Sequence, residues 1–152
     1  MLYTVGEMAR QLHIAPSTLR YYDKEGLLPF LERSDGGMRM FKDEDMPWLE
    51  IIECLKKTGM PIKEIRHFIN CCIEGDSKIE ERLSIITAQR DAVVKQMEEL
   101  QEMLNMLHYK CWYYETAKEE GTCAVHQKLD LKDIPEEYRK YCKSNPARQS
   151  AW

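Results

Sequence analysis

The sequence predicts a mainly α-helical protein in which a winged helix-turn-helix domain is followed by a long coiled-coil helix. Three patterns support this: two helical stretches around a turn near Ile14, a glycine-tipped hairpin within residues 28–41, and a seven-residue apolar repeat over residues 79–114. We expect three segments: a winged domain (1–75), a coiled-coil dimerisation helix (76–118) and a C-terminal effector or tail segment (119–152).

Composition limits the size of the core and the class of partner. A chain of 152 residues with 43% hydrophobic content can bury one modest core, or a small domain beside an elongated helix. Its net charge of -4 argues against non-specific polyanion binding, so any DNA binding must use a local basic patch. The sequence shows no apolar run long enough to span a membrane and no secretory signal before its six cysteines. We therefore expect a cytoplasmic protein with reduced thiols and no cofactor.

The first two helices are delimited by the residues at their ends. Thr4 and Glu7 have the spacing of a capping box, so the first helix is expected to begin there. Pro16 suits the first position of the second helix, and Gly26 suits the left-handed residue that ends it. Two short helices separated by a tight turn are the spacing of a helix-turn-helix.

The second helix carries side chains suited to phosphates and base edges. They comprise one hydroxyl, one guanidinium, one ammonium and two phenols: Thr18, Arg20, Tyr21, Tyr22 and Lys24. Leu19 and either Tyr22 or Asp23 would face inward. We interpret this stretch as a recognition helix; an ordinary amphipathic surface helix is the alternative when the stretch is considered alone.

Two further basic sites follow along the chain. Residues 34–37 predict the tip of a two-stranded wing, because their two glycines supply positive φ angles. Arg33 and Arg39 stand on either side of that tip, where they could reach a phosphate backbone. Lys56 and Lys57 form a second basic corner at the end of a third helix. For the wing alone, a solvated hairpin is the alternative.

The third and fourth helices are predicted between the wing and the apolar repeat. Residues 43–45 place negative charge at the start of the third helix, which is favourable for its dipole, and Pro47 also lies near that start. Gly59 closes this helix, Pro61 opens the fourth and Gly75 ends it. The inner face of the third helix is expected to consist of Leu49, Ile52, Cys54 and Leu55.

A longer helix follows, opened by a second capping box at Ser77 and Glu80. Its apolar positions alternate in steps of four and three residues, and we call them the heptad seam: Ile79, Leu83, Ile86, Arg90, Val93, Met97, Leu100, Leu104, Leu107, Cys111 and Tyr114. A narrow seam sustained in this way indicates a coiled coil, because it needs a partner helix. Arg90 is the polar exception, of the kind that sets register or oligomeric state. A lone helix packed on its own domain is the alternative.

The order of these elements resembles the MerR family of bacterial transcription regulators. The resemblance covers Tyr3 to about Phe68 and rests on the segments TVGEMARQL, STLRYYDKEGLL, RSDGGMRMF and ECLKKTGMPIKEI. It implies a homodimer that binds double-stranded promoter DNA, distorts the promoter spacer and acts indirectly on RNA polymerase. It also implies DNA contacts from Thr18, Arg20, Tyr21, Tyr22, Arg33, Arg39, Lys56 and Lys57. Ala15 and Lys42 depart from the family pattern, which usually has a hydroxyl cap at these positions.

Three sets of residues are candidates for sensing a small effector. The segment ECLKKTGM resembles the aldehyde- and electrophile-responsive branch of the family. In that branch one cysteine on this helix is the sensor, which implies the same role for Cys54 here. The alternative is that Cys54 is a buried structural thiol. Cys111, Cys123 and His126 are weak metal candidates, because a soft cation needs converging thiolates and the family's spaced metal loop is absent. The aromatic side chains of Trp112–Tyr114 could form a pocket for an apolar drug or simply pack.

Two other classes of protein are less consistent with the sequence. It contains no set of nucleophile, base and orienting group, no phosphate loop and no metal-ligand helix motif, so we do not expect an enzyme. A coiled-coil adaptor without DNA binding would leave the arginine and tyrosine pattern of the first 41 residues unused. A mobility-shift assay with the DNA upstream of the gene separates a regulator from both.

Overall fold

A computed structural model describes residues 1–142, and the tail predicted for residues 143–152 lies outside this range. The chain divides into two compact units, Met1–Val93 and a second unit that begins at Val94. The three-segment division at residues 75 and 118 stays a prediction. Within the described range, no helix is long and apolar enough to cross a membrane.

The first unit begins with the predicted helix-turn-helix. A short strand, β1 (Leu2–Thr4), leads into α1 (Val5–Gln11), and α2 follows over Pro16–Lys24. The predicted capping box is confirmed: the Glu7 amide donates to the Thr4 hydroxyl at 3.3 Å, and the Thr4 amide donates to the Glu7 carboxylate at 2.8 Å. The Thr4 amide and the Thr4 hydroxyl both donate to the Glu7 carboxylate and lower the pKa of Glu7 below its usual value, because they stabilise its charged form.

The wing is part of a three-stranded antiparallel sheet. Its strands are β2 (Glu32–Arg33) and β3 (Arg39–Lys42), and Gly37 in the intervening turn adopts a φ of 78°. β1 pairs with the other edge of β3, so the strand order is β1-β3-β2. The sequence contains no signal for β1, because three residues before a capping box are too short to show alternation. The strand depends on its pairing with β3, in which Tyr3 lies opposite Phe41.

Two more helices complete the packing of the winged domain. α3 spans Met46–Lys57 and α4 spans Ile62–Glu74. Residues 43–45 form a 3-10 turn, so the third helix starts after the acidic residues rather than at them. Asp45 is buried in that turn, and its carboxylate accepts a hydrogen bond from the Lys42 amide at 2.8 Å. This bond satisfies the Lys42 amide at the start of the turn; it does not replace a hydroxyl cap, which would accept from the Asp45 amide.

One cluster of buried side chains joins these elements. The cluster takes residues from α1, α2, the wing, α3 and α4. Its largest fully buried members include Met8, Leu19, Tyr22, Leu27, Phe41, Leu49, Ile52, Ile65 and Ile69. Full burial of an aliphatic or aromatic side chain contributes about 1.5–3 kcal/mol, so this cluster holds the recognition helix, the wing and α3 together.

The long helix α5 is continuous over Ile79–Glu120 and contains 42 residues. A 3-10 turn at Asp76–Lys78 leads into it, and the capping box predicted for Ser77 and Glu80 does not form. Eight seam positions each expose 39–65% of their surface: Ile79, Leu83, Ile86, Met97, Leu100, Leu104, Leu107 and Tyr114. An exposed apolar row of this length is what a coiled-coil helix presents before its partner is added.

In the second unit, the chain after α5 packs against the end of that helix. Gly121, with a φ of 72°, follows α5, and two short helices come later, α6 (Val125–Lys128) and α7 (Arg139–Cys142). The aromatic cluster that they complete consists of Tyr109, Trp112, Tyr113, Tyr138 and Tyr141, with Ile134 and Cys142 beside them. Lys140 Nζ donates to the Glu102 carboxylate at 2.8 Å and so ties α7 to α5.

Candidate nucleic-acid interface

The exposed side of α2 carries four of the five predicted side chains. Arg20 and Lys24 are exposed, Tyr21 exposes 44% of its surface, and Thr18 is half-buried. Leu19 faces the core, as predicted. The hydroxyl, the cations and one phenol are therefore available to a partner outside the protein.

Tyr22 does not share this exposed side. It has no exposed surface; its hydroxyl donates to the Glu53 carboxylate and accepts from Lys56 Nζ at 3.1 Å. Burial and the bond to Glu53 raise the pKa of Tyr22 well above its usual value, so the hydroxyl stays protonated. The predicted DNA contact at Tyr22 is therefore corrected, because a fully buried phenol cannot reach a groove. The inward-facing alternative for this residue is confirmed.

Asp23 joins α2 to the wing. Its Oδ2 atom accepts from Arg33 Nη2 at 2.8 Å and from Arg39 Nε at 2.6 Å. The Asp23 side chain is only 18% exposed, whereas Arg33 keeps 50% and Arg39 keeps 28%. Both guanidinium groups therefore retain surface beyond their bond to Asp23. The sequence predicted the two arginines beside the recognition helix but not the carboxylate that positions them.

A third contact holds the end of α2. Arg66 Nη1, on α4, donates to the Glu25 carbonyl oxygen at 3.2 Å. Gly26 follows with a φ of 73°, and a Cβ added there would lie 3.4 Å from the Arg66 side chain. Tyr22, Asp23 and Glu25 thus connect the end of α2 to α3, the wing and α4, respectively.

The second basic corner lies at the end of α3. Lys56 and Lys57 are both exposed, and Lys56 also bonds to Tyr22. The carbonyl oxygen of Thr58, the next residue, accepts from Gln89 Nε2 of α5 at 2.8 Å. The corner is therefore linked to the recognition helix on one side and to the first part of the long helix on the other.

Cys54 lies on the exposed side of α3. The prediction that it shares an inner face with Leu49, Ile52 and Leu55 was wrong, since only those three are buried. The physical reason is helical phase: a helix turns about 100° per residue, which moves Cys54 off the stripe formed by its neighbours. Its exposure also excludes the alternative of a buried structural thiol.

The three predicted metal candidates do not come together. Cys111 and Cys123 are exposed, whereas His126 is buried and its Nε2 lies 2.7 Å from the Tyr113 carbonyl oxygen. Over residues 1–142, the only group of three or more side chains placed to bind a cation is at another site, formed by His67, Cys71 and Glu81. Within one chain, these weak candidates are therefore not placed to bind a cation together.

The aromatic candidates also separate. Trp112 and Tyr113 pack within the aromatic cluster, and the Tyr113 ring stacks on His126 with 3.7 Å between ring centres. Tyr114 lies on the heptad seam and is 59% exposed. The three side chains therefore do not face a common pocket, which favours the packing alternative.

A winged helix-turn-helix with exposed cations on its second helix defines a DNA-binding class of regulator. Residues 3–70 match the family described as MerR HTH family regulatory protein, and residues 47–109 match the one described as MerR, DNA binding. The chain belongs to the MerR family of transcriptional regulators.

Relatives cover most of the chain. An uncharacterised HTH-type transcriptional regulator of Haemophilus influenzae is 44% identical over 136 residues, which are 90% of this chain and 98% of that protein. The crystal structure of HiNmlR, a MerR family regulator lacking the sensor domain and bound to promoter DNA, is 45% identical, with a TM-score of 0.65 over 82% of this chain and 99% of that one. A MerR family regulator from Bacillus thuringiensis is 42% identical, with a TM-score of 0.62 over 73% and 97%.

Proposed function

We propose that this chain regulates transcription in the cytoplasm by binding promoter DNA as a homodimer. The observation that carries the proposal is the set of hydrogen bonds that holds basic side chains next to α2. The exposed cations of α2 stand beside two wing arginines held by Asp23 and beside the Lys56 ammonium held by Tyr22. HiNmlR, a relative over most of the chain, is described as bound to promoter DNA, which supports the same role here.

The proposed DNA contacts divide between base edges and phosphates. α2 enters the major groove, as the second helix of a helix-turn-helix does, and the wing and the second basic corner contact the backbone. The contact set is Thr18, Arg20, Tyr21, Lys24, Arg33, Arg39, Lys56 and Lys57. Tyr22 is a positioning residue in this scheme, because its hydroxyl and ring hold Lys56.

The homodimer uses the heptad seam. Two copies of α5 would bury the seam in an antiparallel coiled coil and present one winged domain to each half of a promoter site. The exposure of eight seam positions in the single chain supports this use. Arg90, which bonds to the neighbouring Asp91 at 2.7 Å, is the polar position that would set the register.

Regulation would act on the shape of the DNA. Bending a promoter spacer costs about 1–6 kcal/mol, and the phosphate contacts of a dimer can supply this energy. An effector that binds two states of the dimer with different affinity then changes which state of the spacer is favoured.

The exposed thiol of Cys54 is the proposed effector site. The Cys54 thiol would add across a C=C bond of a soft electrophile such as a quinone at the surface of α3: a C–S bond forms, the S–H bond and the C=C π bond break, and the proton passes through solvent to the quinone. Lys57 lies three residues further along the helix and is therefore a surface neighbour of Cys54. An adduct would crowd Lys57, so the chemical change would reach a proposed phosphate contact within one helical turn.

The DNA-binding proposal is tested by a mobility shift of the full chain on the DNA upstream of its gene. Arg20→Ala should weaken binding by about 10-fold or more, because a good bidentate base contact contributes about 1–3 kcal/mol. Lys95→Ala, an exposed change on α5, serves as the control and should leave the shift unchanged. A wild-type chain that does not shift this DNA at low salt would contradict the proposal.

The sensor proposal needs a separate experiment. A reporter strain carrying Cys54→Ser should lose its response to aldehydes and quinones, whereas a variant lacking Cys111 and Cys123 should keep it. Loss of response only in the second strain would move the sensor to the end of the long helix. DNA binding by purified Cys54→Ser should match the wild type, because the side chain is exposed.

A further inference from the structure

A second group of polar side chains converges away from the proposed DNA contacts. His67 and Cys71 lie one turn apart on α4, and Glu81 lies in the first turn of α5. His67 Nε2 is 2.8 Å from Glu81 Oε1 and 3.9 Å from Cys71 Sγ. All three potential ligand atoms lie within 4.8 Å of one another.

We propose that His67, Cys71 and Glu81 form a binding site for Zn²⁺ or a similar borderline divalent cation. The donors are one imidazole nitrogen, one sulfur and one carboxylate oxygen, which is a mixture that zinc accepts. Zinc bonds of about 2.0–2.3 Å place tetrahedral ligands roughly 3.3–3.7 Å apart. The observed spacing reaches this geometry with shifts of about 1 Å in two partly exposed side chains.

The Glu81 carboxylate is already oriented for such a role. Its Oε2 atom accepts from Lys78 Nζ at 2.8 Å, while its Oε1 atom faces His67. A second partner that holds one oxygen and aims the other is the arrangement found around metal-binding carboxylates. Lys78 also lies 3.8 Å from Glu74, so the ammonium keeps a partner when Glu81 moves toward a cation.

Access to the site is open on one side. Cys71 is only 2% exposed, whereas the side chains of His67 and Glu81 are 48% and 37% exposed. A cation can therefore enter from solvent between the imidazole and the carboxylate and meet the thiol at the back. The fourth position would be taken by water, as in three-ligand zinc sites.

Cation binding must displace the thiol proton. Cys71 is buried, and its thiol must lose its proton before the sulfur can bind a divalent cation. On binding, a sulfur–metal bond forms, the S–H bond breaks and the proton passes to the buffer. The thiol therefore accounts for about one released proton per cation.

A bound cation would connect α4 to α5 across the turn at Gly75. His67, Cys71 and Glu81 all lie in the first unit, and the site shares no residue with the proposed DNA contacts or with Cys54. The inference therefore concerns a ligand site distinct from the proposed sensor.

The test uses the full chain, stripped with a chelator and titrated with Co²⁺ as a spectroscopic probe and then with Zn²⁺. We expect about one cation per chain, a thiolate-to-cobalt charge-transfer band and the release of about one proton. Cys71→Ser should abolish the band. Cys72→Ser, the matched change at the next position, should keep it, as should the variant lacking Cys111 and Cys123.

Replacing the buried Cys71 thiol could itself disturb folding. Two further variants, His67→Gln and Glu81→Gln, therefore test the site without changing that thiol. Both side chains are partly exposed, and each variant should weaken Zn²⁺ binding at least about 10-fold with an unchanged circular dichroism spectrum. Three results would overturn the proposal: no thiolate band in the wild type, a band that survives Cys71→Ser, or affinity unaffected by both glutamine variants. Any of these results would mean that the three side chains do not bind a cation and that His67 and Glu81 form only a hydrogen-bonded pair beside a buried thiol.

Discussion

The end of α2 and the heptad seam of α5 differ in where their partners lie. α2 has nine residues, yet Tyr22, Asp23 and Glu25 bond to three different elements of the same chain. α5 has 42 residues, and the only buried residues in it are Tyr109, Tyr113 and Ala117, near its end. The surface proposed for DNA is thus built within one chain, whereas the exposed seam is proposed to be covered by a second copy of the chain.

The largest expected effect comes from charging the seam. In a variant with both Met97→Glu and Leu100→Glu, unpaired carboxylates would be buried between two helices, so we expect a monomer in sedimentation. Binding to the promoter should fall about 100-fold or more, because the two winged domains no longer act at a high effective concentration.

Ala88→Glu is the control for this change. Ala88 is exposed and lies nine residues before Met97, which is about half a turn around the helix from the seam. This variant should remain dimeric. If the double variant is dimeric as well, the seam has been misassigned and the contrast between the two regions fails.

Breaking the bonds that join α2 to the wing should have a smaller effect. Asp23→Ala removes the acceptor of both wing arginines at a site that is only 18% exposed. We expect a loss of about 1–2 kcal/mol in the free energy of unfolding, measured with urea, because a charged hydrogen bond contributes about 1.5–3 kcal/mol and solvent screens the partly exposed arginines. Asp35→Ala, at the exposed tip of the wing, should cost far less. Equal losses in the two variants would show that Asp23 does not hold the wing.

A change at the second basic corner should affect binding without affecting stability. Lys57→Ala should reduce the slope of log affinity against log salt by about one unit for each phosphate that the variant no longer neutralises. Lys95→Ala removes the same charge from α5 and should leave the slope unchanged. An unaltered slope in Lys57→Ala would remove this residue from the DNA interface.

The smallest expected effect concerns the exposed pair that ties α7 to α5. Hydrogen bonds from Lys140 and Tyr141 lower the pKa of Glu102 below its usual value of 4.5. Stability from this carboxylate is therefore present above pH 4.5 and is lost as pH falls through the lower folded pKa. Glu102→Gln should lower Tm slightly at pH 7 and not at all in strong acid. A difference that persists in acid would have another cause.

The elements that the sequence predicted correctly depend on neighbouring residues. The capping box at Thr4, the glycines that end the helices and the seven-residue repeat are all local patterns. β1 was missed because it is formed by pairing with residues about 40 positions later. The bond from the Lys42 amide to the Asp45 carboxylate was also missed, because three-residue spacing allows this bond but does not require it.

The candidate interface shows the same limit at the level of single side chains. Arg20, Tyr21, Tyr22 and Asp23 are all polar, so composition alone could not decide which of them turns inward. Tyr22 can be buried because Glu53, 31 residues away, accepts a hydrogen bond from its hydroxyl. Cys54 was placed inside because it is apolar and adjacent to the stripe, yet helical phase puts it outside.

The position of β3 between two other strands has a mechanical consequence. Opening β3 to hydrogen exchange requires breaking its pairing with β1 as well as with β2, so its amides should exchange more slowly than those of β2. Thr4, which caps α1, lies opposite Met40, the residue after Arg39. We therefore expect a rotation of α1 to be transmitted through β1 to the strand that holds this arginine, so that the wing moves with the helix-turn-helix rather than as an independent loop.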